Sequence, residues 1–161
     1  TENSQDVWKN KYPYLSSVKD FDKNNPKFRW QKKFPSNELT NLFPKIGGLQ
    51  NIEIIDITST GRVKNVNLIG PDGFYQMSGV VLRKRLGLNS NFVRFKFFEE
   101  ESNKNFPVRK GLIVFGQGSG HGVGMSQWGA KYLASRGQKA ERILKYFYRG
   151  AKIKPFRKDY L

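Results

Sequence analysis

The chain has 161 residues, of which 37% are hydrophobic, so it is long enough for one domain with a sizeable core and too apolar for an intrinsically disordered chain. Lys and Arg outnumber Asp and Glu by 29 to 13, and the resulting net charge of +16 indicates an anionic partner or surface. Cysteine is absent, which excludes a disulfide framework and a cysteine-based zinc site. No apolar run approaches the roughly 18 residues of a membrane span, so we predict a single domain over residues 1–161 with no transmembrane segment.

The first 35 residues are polar and interrupted by three prolines, which predicts an irregular, extended segment. A short helix is predicted to follow, with Ser36 as its N-cap and Leu39 on its apolar face. Residues 50–69 carry two runs of branched apolar side chains around a Ser-Thr-Gly turn, which is typical of a β-hairpin. A brief third strand is predicted over residues 74–77.

Ser78 is predicted to cap a middle helix that ends near Gly87. The alternating Val93, Phe95 and Phe97 predict a strand, and residues 112–115 predict another short apolar strand. Between these two strands the acidic run Glu99 to Glu101 is interpreted as part of a solvated loop, continued by Asn103 to Asn105. Two further helices are predicted near the end of the chain. The order of elements predicts an α+β fold, mainly an antiparallel sheet with three to four short helices.

Glycine occupies every second position from 116 to 124, within the run GQGSGHGVGMSQWGA. If this segment were extended, one face would be bare backbone and the other would carry Gln117, Ser119, His121 and Val123. Five glycines lose much conformational freedom on folding, so the segment must gain either a close approach of another group or backbone at positive φ. A dinucleotide site needs glycine at offsets 0, 2 and 5, and every register fails. A phosphate loop fails too, because Ala130 stands where its lysine is needed.

His121 is the sole histidine, and its position alone leaves a structural and a functional role open. A histidine metal site needs further ligands, and none is near in sequence, so we predict no metal and no cofactor. Nucleophilic catalysis by Ser119 or Ser126 with His121 lacks the strand–turn–helix elbow that would support it. In contrast, Ser126, Gln127 and Trp128 cluster at a predicted helix start, where free N–H groups can bind a polar or anionic ligand. Trp128 either stacks on a sugar or packs in the core.

Residues 120–130, GHGVGMSQWGA, resemble the long and specific motif of the stage II sporulation protein D (SpoIID/LytB) family. The resemblance continues through Ile143-Leu144-Lys145-Tyr146-Phe147-Tyr148 to Gly150, and back to Thr1 and Glu2, so that it covers almost the whole chain. It identifies the chain as the carboxy-terminal part of such a domain, an incomplete SpoIID-like fold. The predicted substrate-binding residues are Ser119, His121, Gly122, Ser126, Gln127 and Trp128.

The resemblance implies an extracytoplasmic bacterial protein that processes peptidoglycan. Sporulation members resemble lytic transglycosylases, which cut the β-1,4 bond after N-acetylmuramic acid in glycan strands stripped of stem peptides. One carboxylic acid protonates the leaving oxygen while the C6 hydroxyl closes a 1,6-anhydro ring. The alternative is a non-catalytic glycan-binding module or an amidase enhancer of the LytB kind, with a cell-wall amidase as partner.

The sequence departs from the family pattern at the catalytic position. The family's catalytic glutamate lies in an earlier helical segment that these residues lack, so we expect the general acid upstream of Thr1 and predict no catalytic residue in this chain. The parent is then an enzyme, with this chain alone inactive and the missing amino-terminal part a partner. A nucleic-acid-binding role is the third alternative, but no helix-turn-helix, zinc-finger or RNP-type motif accompanies the basic charge.

Overall fold

The computed structural model describes residues 1–8, 10–100 and 109–154. The helices are α1 (Ser4–Trp8), α2 (Ser36–Leu42), α3 (Gly79–Arg85), α4 (Gln127–Ser135) and α5 (Ala140–Phe147), and a 3₁₀ helix covers Pro44–Ile46. The strands are β1 (Arg29–Phe34), β2 (Asn51–Ile57), β3 (Val63–Gly70), β4 (Gly73–Ser78), β5 (Val93–Glu100) and β6 (Arg109–Gln117). These helices and two antiparallel three-stranded sheets confirm the α+β class over the described part of the chain.

The chain divides into two compact units. One combines Thr1–Asn24 with Gly122–Leu161, and the other is the continuous stretch Asn25–His121. We call the first the helical unit and the second the sheet unit. The prediction of one domain over the whole chain stays a prediction. Across the described ranges, every helix is too short or too polar to traverse a bilayer.

The sheet unit contains a sheet of order β1-β6-β5, in which β5 and β6 are longer than the strands predicted from the sequence. β1 lies in the segment predicted to be irregular, and that prediction was wrong for these residues. They pair antiparallel with β6, from Arg29 opposite Gln117 to Phe34 opposite Leu112. Only Phe34 of β1 is fully buried, so the strand is stabilised by backbone hydrogen bonds to a distant partner rather than by an alternating apolar pattern of its own.

The second sheet, β2-β3-β4, confirms the predicted hairpin and the third strand. Ile52 pairs with Leu68 on the buried face, whereas Glu53 pairs with Asn67 on the open face. Both sheets contribute to one apolar core, in which Phe43, Val66, Leu68, Leu112 and Val114 have no exposed surface. This core of long-range contacts is what gives the strands their fixed register.

Two local predictions around α2 need correction. Pro35, not Ser36, occupies the N-cap position, and no side chain caps the helix. Ser36 instead donates its backbone N–H and its hydroxyl to the carboxylate of Glu100, at 2.9 and 2.5 Å. These bonds, with Lys33 and Arg109 nearby, hold the pKa of Glu100 below its usual value. Glu99 and Glu100 thus end β5 rather than lying in a loop, while Glu101 and Asn103 to Asn105 fall outside the described residues.

The middle helix follows its prediction closely. The Ser78 hydroxyl accepts the Val81 N–H at 3.3 Å as the N-cap, and Gly87, at φ 58°, follows the helix end. Leu82 and Leu86 are buried and belong to the core of the sheet unit. A cap at one end and glycine after the other therefore position α3 as the sequence predicts.

The helical unit has a smaller core of its own, formed by Val18, Ile143 and Phe147 with Ala130 and Leu133 packed against them. The Phe21 and Tyr132 rings stack with centroids 5.2 Å apart, and the Tyr146 hydroxyl donates to the Lys19 carbonyl at 2.8 Å. The amino-terminal segment is thus held against α4 and α5. It also contains α1, a helix in the stretch predicted to be irregular.

Candidate functional site

The glycine run does not continue as an extended strand. β6 ends at Gln117, and Gly118, Gly120, Gly122 and Gly124 then have φ values of 66°, 86°, 81° and 78°. This is the left-handed region that L side chains rarely adopt. The alternating bare face predicted for these residues is therefore wrong, and positive φ accounts for the four glycines that follow β6.

Gly116 instead lets another group approach the backbone closely. A Cβ atom at this position would overlap the Trp30 indole, which lies directly over the glycine. The Trp30 Nε1–H donates to the Gly118 carbonyl at 2.8 Å, and the Gly118 N–H donates to the Phe28 carbonyl at 3.1 Å. The start of β1 thus fixes the start of the glycine run within the sheet unit.

His121 is an exposed residue at the end of the sheet unit, and two arginines act on it electrostatically. The backbone before it is fixed by the Gly120 N–H, which donates to the Asn89 carbonyl at 2.9 Å. Desolvation lowers the pKa of the His121 imidazole, and the positive charges of Arg83 and Arg62 lower it further. The lowered pKa favours the neutral imidazole, which can donate one hydrogen bond and accept another.

This lowered pKa predicts a pH dependence of stability. The folded-state pKa lies below the unfolded value of about 6.5, so protonation favours the unfolded chain. The contribution of His121 is present above that unfolded value and is lost as the pH falls through the folded pKa. We expect the wild type to lose more stability than His121→Gln between pH 7.5 and 5, as measured by urea unfolding. An NMR inflection of the sole histidine at or above the unfolded value would contradict this.

In the helical unit, the second half of the run pairs with the amino-terminal segment. The Glu2 N–H donates to the Gly122 carbonyl at 2.9 Å, and Glu2 and Val123 form a parallel bridge. Glu2, Val123 and Gly124 are all buried, with Glu2 only 1% exposed. Leu15 and Tyr148 come close to Gly124. The loop before α4 is therefore held in place by contacts with residues of the same unit.

The start of α4 has the predicted form. Ser126 is the N-cap, and its hydroxyl accepts the Gly129 N–H at 3.0 Å. One of the helix-start donors expected to face a ligand is thus satisfied within the helix. Gln127 is exposed, and Trp128 is half-buried with the Lys131 ammonium 4.9 Å from its ring centroid. Trp128 is therefore not part of the buried core, and part of its surface faces solvent.

The six predicted binding residues fall in two groups. Ser119 and His121 lie in the sheet unit, whereas Gly122, Ser126, Gln127 and Trp128 lie in the helical unit. Sequence reasoning did not single out Arg62 or Arg83, whose charges act on His121. Their only sequence signal is their place in two further stretches that resemble the family, residues 59–63 and 78–90. Within the described ranges, no three His, Asp or Glu side chains form a metal-ligand set.

No protein-family model matches the chain. Curated relatives nevertheless align with 95% of it. Stage II sporulation protein D of Bacillus subtilis is 34% identical over 155 residues, and that of Bacillus amyloliquefaciens is 32% identical over 155 residues. The amidase enhancer of Bacillus subtilis is 25% identical over 201 residues, which are 28% of its length. The chain spans 41% of each of the two sporulation proteins.

Proposed function

The chain is a homologue of stage II sporulation protein D over 95% of its length, and from this relationship we propose that it serves in bacterial cell-wall processing outside the cytoplasm. The similarity to the amidase enhancer of Bacillus subtilis supports the same proposal. The ligand we propose is the glycan strand of peptidoglycan. Its repeating sugars offer hydroxyl and acetamido groups together with apolar ring faces, which suit a polar amide beside an aromatic ring.

The observation that carries this proposal is the start of α4. Gln127 is exposed beside the half-buried Trp128, while the buried Val123 and Gly124 hold the preceding loop. The Gln127 amide has two donors and an acceptor for hydroxyl or acetamido groups, and the Trp128 indole supplies an apolar face. Because Ser126 caps the helix and the loop before it is buried, the backbone that presents Gln127 and Trp128 loses little conformational entropy on binding.

The proposed reaction of the whole protein is lytic transglycosylation, with the general acid supplied by a part of the protein other than residues 1–161. A general acid benefits from a raised pKa, because it must hold its proton at neutral pH. Glu100 and Glu141 have lowered pKa values instead, because hydrogen bonds from Ser36 and from Lys145 favour their charged forms. The second candidate, an amidase-enhancing role without catalysis, is favoured by the similarity to the amidase enhancer.

Binding to glycan strands tests the proposal directly. We expect Gln127→Ala and Trp128→Ala each to weaken retention on denuded strands, since each removes a polar or aromatic contact. Loss of one hydrogen bond at Gln127 should cost about two- to tenfold in affinity. Gln5→Ala and Trp8→Ala are matched controls, because both residues are exposed in the same unit. Dissociation constants follow from sedimentation of the strands at several protein concentrations.

Two outcomes would contradict the proposal. Unchanged retention in both α4 variants would remove the binding site, and equal losses in the controls would indicate unspecific adhesion. The same mixtures can be analysed by mass spectrometry for 1,6-anhydro ends. We expect none from this chain alone, and their appearance would place the general acid within it.

A further inference from the structure

The sheet β1-β6-β5 has one face in the core of the sheet unit and one face open to solvent. Side chains of the central strand β6 alternate between the two. Leu112 and Val114 have no exposed surface, whereas Ile113 is half-buried and Phe115 is 41% exposed. Because residues paired in register share a face, the second set defines what we call the open face. Its middle is formed by Ile113 and Phe115, and its sides by Lys33 on β1 and by Arg94 and Lys96 on β5.

Cations flank the apolar middle of the open face on both sides. Phe115 pairs with Arg94, and Ile113 pairs with Lys33 on one side and with Lys96 on the other. All three cations are exposed, and the backbones of β1 and β5 lie about 10 Å apart across β6. Within the described ranges, neither Arg94 nor Lys96 forms an ion pair with a carboxylate. These two charges are therefore available to an anion from outside the molecule.

Phe98 closes one end of the open face. It pairs with Gly111, where a Cβ atom would overlap the phenyl ring, so the ring lies over the central strand. The Lys33 ammonium lies 4.4 Å from the centroid of this ring. At the same end, the Glu100 carboxylate accepts hydrogen bonds from the N–H and the hydroxyl of Ser36. The Phe98 ring and the Glu100 carboxylate are thus already engaged within the sheet unit.

The solvent face of the second sheet, β2-β3-β4, has acidic side chains instead. On the row beside the buried pair of Ile52 and Leu68, Glu53 lies opposite Asn67, and further along β2 the acidic Asp56 lies opposite Asn65. The basic excess of the chain is therefore not spread evenly over the two sheets. Such a separation of charge favours approach of an anion to one sheet and not to the other.

The shape of the open face suits an extended polymer better than a small anion. Small-molecule sites are concave and enclose most of their ligand, whereas these cations stand on the surface of a sheet. One exposed ion pair stabilises a complex only slightly. A polymer that meets several cations at once gains affinity, because every contact after the first forms within the same complex.

We propose that the open face of β1-β6-β5 binds an extended polyol phosphate, the chemistry of the anionic polymers of bacterial walls. In such a polymer, phosphodiesters alternate with short carbon segments, which match cations on both sides of an apolar middle. The choice of this polymer rests on the proposed role outside the cytoplasm. A nucleic acid needs aromatic faces for its bases, and the Phe98 ring is already covered. A bilayer needs a larger exposed apolar surface than Phe115 provides.

The first test removes the same charge from two places in the sheet unit. Arg94→Gln combined with Lys96→Gln takes two cations from the open face, whereas Lys45→Gln combined with Lys84→Gln takes two exposed cations from elsewhere in the unit. By titration calorimetry with poly(glycerol phosphate), we expect the first double variant to bind about fivefold more weakly than wild type. The second should bind like wild type, and far-ultraviolet circular dichroism checks that both are folded.

Phe115 supplies a readout that leaves the net charge unchanged. We expect Phe115→Ala to weaken binding of poly(glycerol phosphate) by about threefold, since the ring loses its contact with the carbon segments. The salt dependence of binding should stay that of wild type, because no cation is lost. Phe74→Ala is the matched control, since Phe74 is 71% exposed in the second sheet.

Several results would overturn the proposal. Absence of binding by wild type would do so, and equal losses in the two double variants would mean that binding follows net charge rather than the open face. Tighter binding of single-stranded RNA or of phosphatidylglycerol vesicles, lost on changing Arg94 and Lys96, would assign the face to nucleic acid or to membrane. Retention on denuded glycan strands is measured separately with variants of Gln127 and Trp128, so failure of either proposal is recognised by itself.

Discussion

Replacing Phe43 by alanine is expected to lower the free energy of unfolding by about 3–5 kcal/mol, the range for deletion of a buried aromatic ring. Phe43 has no exposed surface and lies in the core shared by both sheets of the sheet unit. Its ring also lies 5.5 Å from the Arg85 guanidinium. The cavity left behind cannot collapse easily, because the surrounding strands are fixed by their pairing.

Phe74→Ala is the matched control for this change. Phe74 belongs to the same unit but is 71% exposed, so its loss should change stability by at most about 0.5 kcal/mol. Urea unfolding followed by far-ultraviolet circular dichroism measures both variants. Similar losses in the two would mean that the core of the sheet unit is not centred on Phe43.

Phe147→Ala should have an effect of the same order, about 3–5 kcal/mol, but in the helical unit. Phe147 is 1% exposed and forms the small core with Val18 and Ile143. A Cβ atom at Gly129 would lie 3.0 Å from its ring, so α4 packs against Phe147 through bare backbone. Loss of the ring therefore removes the apolar surface against which α4 packs.

Ile153→Ala, at a residue that is 47% exposed, is the control for Phe147. Comparison with Phe43→Ala also tests the prediction of a single domain. If the two units unfold together, both core variants shift one common transition to lower denaturant concentration. Two separate transitions, each moved by one variant, would contradict the single-domain prediction.

The two parts of the glycine run end differently. In the sheet unit, the run ends at the exposed His121, and Arg62 Nη1 lies 3.4 Å from the Gly120 carbonyl before it. In the helical unit, it leads into a capped helix with an exposed amide and a half-buried indole, an arrangement suited to neutral sugar groups.

Several features of the chain follow from the sequence alone because their causes are local. The hairpin over β2 and β3 and the capped helix α3 depend on neighbouring residues: alternating apolar side chains, a turn, and a serine before the helix. The helix start at Ser126 follows for the same reason. The family motif itself is a continuous run, so it is visible without any structure.

Other features were decided by residues distant in sequence. β1 has little pattern of its own and becomes a strand because β6 offers it a ladder of backbone partners. Ser36 leaves its predicted cap position because the Glu100 carboxylate, 64 residues away, takes its hydroxyl and its N–H. Neither change can be read from local propensity, since the deciding hydrogen bond lies across the sheet unit.

The glycine run shows both kinds of cause. The sequence by itself determined that five glycines in alternation need either closeness or positive φ, because glycine is costly to order without such a gain. Only the tertiary structure decided which: Trp30 lies over Gly116, and the next four glycines adopt positive φ. It likewise anchored Arg62 and Arg83 to the loop of residues 88–92, through hydrogen bonds that no spacing in the sequence reveals.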